Sequence, residues 1–205
     1  EQLLEHAHRE ADAMILLGAF DMIPRSFNCK VPMVGVMMQQ SCRQQASLVD
    51  LDPFTAAELA VDYFHQAGIT RVRVHESALC YKNIRVVAFV NAWDGEIELI
   101  RCDWPVTFYD DFPEDCGYWF ENGVLANDFA RHFRSLHQAD FARRRRVISL
   151  DGRSLLIDSY LPMNAITPDW EDIGRIALDE AFRRLREPGG GMRRIHVNVN
   201  LKQVQ

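Results

Sequence analysis

The chain has 205 residues, of which 48% are hydrophobic, 10% aromatic and 25% charged. That is ordinary globular composition, with length for one large domain or two small lobes. A formal net charge of −6 and a pI near 5.6 exclude a stand-alone nucleic-acid binder, because neutralising phosphates takes a basic surface. Five cysteines (Cys29, Cys42, Cys80, Cys102, Cys116) are scattered and form no C-x-x-C pair, which argues against zinc or a disulfide framework and for a reducing cytoplasm. No apolar run approaches the ~18 residues of a membrane span.

Taken in order, Glu1–Glu10 is polar and helix-prone. Ala13–Leu17 is a continuous apolar run closed by Gly18, which predicts a strand buried on both faces. Val31–Val36 (VPMVGV) repeats that pattern, and Ser47–Asp50 is a third short apolar piece. From Leu51 to Glu76 the punctuation is complete. Asp52 can cap a helix and Pro53 suits its first position. Ala56, Leu59, Ala60, Tyr63 and Phe64 then share one face, Gly68 closes the helix, and Arg71–Val74 follows as a strand. Helix, glycine and strand make half of a βαβ unit, so a parallel α/β sheet is expected.

Tyr81–Ala92 reads as a helix and Glu96–Arg101 as a strand. Residues 104–120 hold seven aromatics interleaved with Asp110, Asp111, Glu114 and Asp115, and read as an irregular loop. Rings of this kind stack on sugars or bases, with Trp104 the candidate stacking residue, or else they pack over the core or against a partner chain. Gly123–Ala126 reads as a short strand, Asn127–Ala142 as a helix and Arg146–Leu150 as a strand ending at Asp151. Thr167 and Pro168 read as the start of the last long helix, and Arg194–Leu201 alternates as one half-exposed strand.

No phosphate loop, dinucleotide fingerprint, nucleophile elbow or H-E-x-x-H motif is present, so neither an enzyme nor a cofactor is expected. His6 and His8 stand two apart, on different faces of a helix, which does not make a metal site. The run Arg143–Arg146 reads as a solvated helix end. His75 and Glu76 end a strand, where ligands of parallel sheets bind, and His75 is a candidate ligand residue.

The order of these pieces resembles the effector-binding domain of LacI/GalR-type transcriptional regulators. The family's "DGVILLG", "PVV" and "VxxDN…A…A..HL…GH.RI" segments are matched by ADAMILLG, VPMVGV and VDLDPFTAAELAVDYFHQAGITRV. The family arginine before its "GF" pair resembles Arg85 in Arg85–Phe89. Its "AND" resembles Ala126-Asn127-Asp128, and its "V.GFD" strand resembles Val147–Asp151. Its closing helix and strand resemble Thr167–Leu185 and Arg194–Leu201. Ala88 and Ser149 stand where the family has glycine, which points to an atypical effector or to a decayed pocket.

The resemblance implies a two-lobed, periplasmic-binding-protein-like α/β fold with parallel sheets flanked by helices, the N-terminal part of the first lobe being absent from these residues. Residues 1–48 and 160–190 would form the first lobe, and 49–159 and 191–205 the second, closing over a small polar ligand. Arg85, Asn127 and Asp151 would bind a sugar- or purine-like effector. Arginine supplies donors, aspartate accepts, and asparagine does both. Also implied are a cytoplasmic homodimer and operator DNA read by a helix-turn-helix outside this chain. A periplasmic-type sugar-binding transport protein has the same architecture. A small α/β enzyme using His75, Glu76 or Asp110–Asp115 is the reading from another class.

Overall fold

The computed structural model describes residues 6, 9–18, 30–37, 46–77, 83–102, 113, 115–136, 146–151 and 163–203. The chain forms two units. Residues Glu1–Asp52 and Pro168–Asn198 make the first, and Pro53–Thr167 and Val199–Gln205 make the second.

In the first unit, β1 (Met14–Leu17), β2 (Met33–Val36), β3 (Ser47–Leu51) and β9 (Arg194–Val197) form a parallel sheet in that order. Met14, Met33, Ala46 and Leu48 are its core. The last helix, α4 (Trp170–Arg186), lays Ile173, Ala177 and Ala181 against the sheet. Glu180 is buried on the same side, where its carboxylate accepts the Ser47 hydroxyl at 2.6 Å and two Arg183 N–H groups at 2.7 Å. Paired in this way, a charge can stay out of water. β2 is buried throughout, as its unbroken apolar run predicts, but β1 is not. Ile15 and Leu17 share one face of β1 and are exposed, and β1 ends the strand order among the described residues.

The second unit is a six-stranded sheet in the order β10 (Val199–Lys202), β8 (Asn164–Pro168), β7 (Val147–Leu150), β6 (Cys116–Phe120), β4 (Arg71–Ser77), β5 (Glu96–Cys102). The pairs β4/β5, β4/β6, β6/β7 and β7/β8 are all parallel. Helix α1 (Pro53–Gln66) begins at its proline and ends before Gly68, whose φ of +71° is the left-handed turn that favours glycine. Together with α2 (Ile84–Ala92) it covers one face, where Phe64, Phe89, Trp93 and Trp119 meet edge-on or stacked. Helix α3 (Gly123–Leu136) covers the other face, with Phe129 against Tyr118 and Phe120.

Several sequence expectations give way here. Residues 116–120 are not loop but the central strand β6, and all five are buried. A strand covered by helices on both faces shows no polar alternation, so its CGYWF run carries no period-two signal. Gly123–Ala126 is not a strand but the first turn of α3, and Asn127 therefore lies inside a helix. Thr167 and Pro168 end β8, and the cap of α4 is Asp169, which accepts N–H from Glu171 and Asp172. The last alternating stretch is two strands in two sheets, β9 beside β3 and β10 beside β8, broken at Asn198. β8 and β9 thus sit in the opposite units from those that the 160–190 and 191–205 ranges implied.

Candidate functional site

Strand order reverses in the second sheet between β4 and β6, since the chain leaves β4 for β5 on one side and returns to β6 on the other. In open parallel sheets the carboxyl ends of the strands at such a reversal are where ligands bind. His75, Glu76 and Ser77 end β4, Glu121 and Asn122 follow β6, Asp151 follows β7, and Thr167 lies near the end of β8.

Asn83 caps α2, and its side-chain Oδ1 accepts the backbone N–H of Arg85 at 2.9 Å. This cap puts Arg85 in the first helical turn, buried, with Nη1 donating to the carbonyl oxygen of Glu121 at 3.2 Å. The same Nη1 lies 3.9 Å from Asp151 Oδ2. Asp151 adopts φ +67°, a left-handed conformation that aspartate tolerates better than most side chains. Its Oδ1 accepts the N–H of Gly123 at 3.0 Å, where the dipole of α3 favours a negative charge, and its carbonyl accepts the Thr167 hydroxyl at 3.1 Å. The Asp151 side chain is 20% exposed against 3% for Arg85, so the carboxylate is the open member of the pair.

Glu121 is fully buried beneath this pair. Its Oε1 accepts the Ser77 N–H at 2.8 Å and the Asn122 side-chain amide at 3.2 Å, and its Oε2 accepts the Asn83 side-chain amide at 2.7 Å. Burial pushes its carboxyl up to about 7, against the pull of these donors and of Arg85. Asn122 also caps α3, its Oδ1 accepting the N–H of Leu125 at 3.0 Å. Asn127, in the second turn of α3, is buried, and its Oδ1 has no hydrogen-bond partner among the described residues.

Of the residues singled out by sequence, Arg85 and Asp151 are brought together and Asn127 stands on the helix beginning at the same strand mouth. His75 is a core residue, wholly buried and stacked on Phe120, and burial lowers its pKa to about 4. Trp104 lies outside the described residues. Sequence reasoning missed Asn83, Glu121 and Asn122. Asn83 had a signal, an asparagine just ahead of the apolar run IRVVAFV, as did Asn122 ahead of α3. Glu121 had none, because it follows a strand that read as loop. Among the described residues no group of His, Cys, Asp and Glu could hold a metal ion, and no helix is long and apolar enough to cross a membrane.

No protein-family model matches the chain, and no curated protein does. Solved structures do match. A LacI family transcriptional regulator from Enterococcus faecalis V583 with bound ribose superposes with a TM-score of 0.72 at 16% identity, over 98% of this chain and 79% of that one. The chain has the LacI-type fold. A LacI family regulator from Arthrobacter sp. FB24 in complex with lactose gives 0.71 at 18% identity, over 98% and 81%. The Cra transcriptional dual regulator from Pseudomonas putida with fructose 1-phosphate gives 0.70 at 15% identity, over 98% and 81%. The LacI-type fold, with parallel sheets flanked by helices, is thus the one the resemblance implied. The reversal between β4 and β6 is the feature of it that gathers Arg85, Glu121 and Asp151.

Proposed function

We propose that the chain is the effector-sensing part of a transcriptional regulator and that it holds a small sugar-like ligand at the carboxyl ends of β4, β6 and β7. The observation that carries this reading is the Arg85–Asp151 pair at the strand reversal. Atoms 3.9 Å apart are too far for a hydrogen bond to each other, yet one hydroxyl can donate to Asp151 Oδ2 and accept from Arg85. Asn127 offers a buried carbonyl oxygen for a further hydroxyl. Donor, acceptor and amide together match the alternating needs of a polyol.

The sugars bound by the structural neighbours support the ligand class. In this reading the module performs no catalysis and works in the cytoplasm as a homodimer, with operator DNA contacted by a helix-turn-helix attached to it. Effector binding shifts the regulator between two states by its differential affinity for them, about 1–3 kcal/mol.

The test is a thermal-shift screen of the protein against pentoses, hexoses, sugar phosphates and purines. A ligand at about 100 times its Kd adds about 2.7 kcal/mol of stability. A hit from one chemical class, lost in both Arg85→Ala and Asp151→Ala while the variants remain folded, supports the reading. A hit unchanged in both variants, or no hit across the panel, overturns it.

A further inference from the structure

We propose that Glu121 is the positioning residue for Arg85, holding the guanidinium through its backbone carbonyl and the Asn83 cap through its carboxylate. The inference rests on the effector-site reading and deepens it, because it names what controls the donor side of that site.

The geometry has two arms. Through its side chain, Glu121 Oε2 accepts the Asn83 amide at 2.7 Å, and Asn83 in turn accepts the Arg85 backbone N–H. Through its backbone, the Glu121 carbonyl accepts Arg85 Nη1 at 3.2 Å. One residue at the end of β6 therefore orients both the helical turn that carries the arginine and the guanidinium itself.

The carboxylate sits among donors. Oε1 takes the Ser77 N–H and the Asn122 amide, and Oε2 takes the Asn83 amide. Oε1 already accepts two donors, so a proton goes to Oε2, which accepts only the Asn83 amide. A neutral hydroxyl oxygen accepts that amide less strongly than a carboxylate does. The amide cannot turn over to improve the contact, because its Oδ1 is committed to the Arg85 N–H. Protonation therefore weakens the hold of Glu121 on the cap of α2.

The charged groups around Glu121 work in both directions. Arg85 on α2 favours the anion, and Glu76 on β4 opposes it while paired with Arg101 on β5 at 2.9 Å. Asp151 beyond β7 faces the same arginine, and His75 on β4 is held neutral by burial. Burial of Glu121 itself brings its titration to about 7, where a modest change in pH alters its state. The donor side of the site should therefore loosen as pH falls through neutrality.

The experiment follows the Arg85 backbone amide and the Asn83 side-chain NH2 by NMR from about pH 5 to about pH 8.5. In the unmodified protein both should titrate together with one midpoint near neutrality. In Glu121→Gln neither should titrate. Asn83→Ser keeps an oxygen to cap α2 but removes the donor to Glu121, so its Arg85 amide should be independent of pH, and it serves as the deciding variant if Glu121→Gln does not fold.

Affinity for D-ribose, lactose and fructose 1-phosphate is measured calorimetrically on the same proteins. D-ribose and lactose carry no group that titrates in this range, so either of them that binds should bind about fivefold or more weakly at the acid end, and the dependence should vanish in Asn83→Ser. An Arg85 amide that does not titrate in the unmodified protein, or that still titrates in Asn83→Ser, overturns the positioning role whether or not a sugar binds. Absence of binding by all three sugars, with the NMR titration as expected, counts against the effector reading and leaves the positioning role standing.

Discussion

His75 lies face to face on Phe120, their ring centroids 4.3 Å apart and their planes 17° from parallel. The two are register partners on β4 and β6, and Tyr118 and Phe129 complete the enclosure. Inside it the imidazole is kept neutral, with its pKa lowered by burial from 6.5 to about 4. The unfolded chain takes up this proton first. His75 therefore contributes stability that is complete above about pH 6.5 and is lost as pH falls through about 4. Replacing it with phenylalanine removes that dependence. Urea unfolding of His75→Phe should show a smaller loss of stability between pH 6.5 and 4 than the unmodified protein, by an amount on the order of 3 kcal/mol at most.

Glu121 has the opposite sign. Its carboxyl is pushed up from 4.5 to about 7, so the folded state holds the proton longer than the unfolded chain. Its contribution is complete below about pH 4.5 and is lost as pH rises through about 7. Between about pH 4.5 and 6.5 the two buried groups offset each other. Glu121→Gln should therefore gain stability with rising pH more steeply than the unmodified protein over that interval, and denaturant midpoints at the two ends measure the difference.

Asp151 carries two separable demands, a left-handed backbone and a carboxylate. Asp151→Asn keeps a side chain that tolerates φ +67° and should fold with stability close to the unmodified protein, while losing sugar affinity through the missing charge. Asp151→Val places a β-branched residue there and removes the acceptor for the Gly123 N–H, and should cost about 1–3 kcal/mol by chemical denaturation. Equal stability of the two variants would refute the account of the backbone.

Gly117 lies in β6 where Phe64 crosses the sheet. A Cβ at this position would stand 2.9 Å from Phe64 Cε1 and 3.1 Å from Ile69 Cγ2. Phe64 cannot yield easily, because Phe89 and Trp93 hold its other edges. Gly117→Ala should cost about 1–3 kcal/mol through overpacking, and Phe64→Leu in the same chain should recover part of the loss. Thermal unfolding of the single and double variants checks both statements.

Where signals are local, the chain could be read directly. The proline, apolar face and glycine of Pro53–Gly68 announce helix α1, and the strand after it follows from Arg71–Val74. Arg85 and Asp151 stand out as candidates in the sequence because each sits in a recognisable ordered segment. Asn127 was placed after a strand that does not exist, since Gly123–Ala126 is already helix. The strand that does precede this helix, Cys116–Phe120, was hidden by its own burial, and with it the role of Glu121.

The sequence by itself determined the alternation of helices and strands, the parallel α/β class and the punctuation of most elements, because capping, periodicity and glycine turns act over a few residues. Only the tertiary structure decided that Glu121 lies under Asn83 and that Arg85 faces Asp151. Those contacts join separate strand ends, and the strand order that brings them together is set by which apolar faces bury against one another, a choice that no local pattern records.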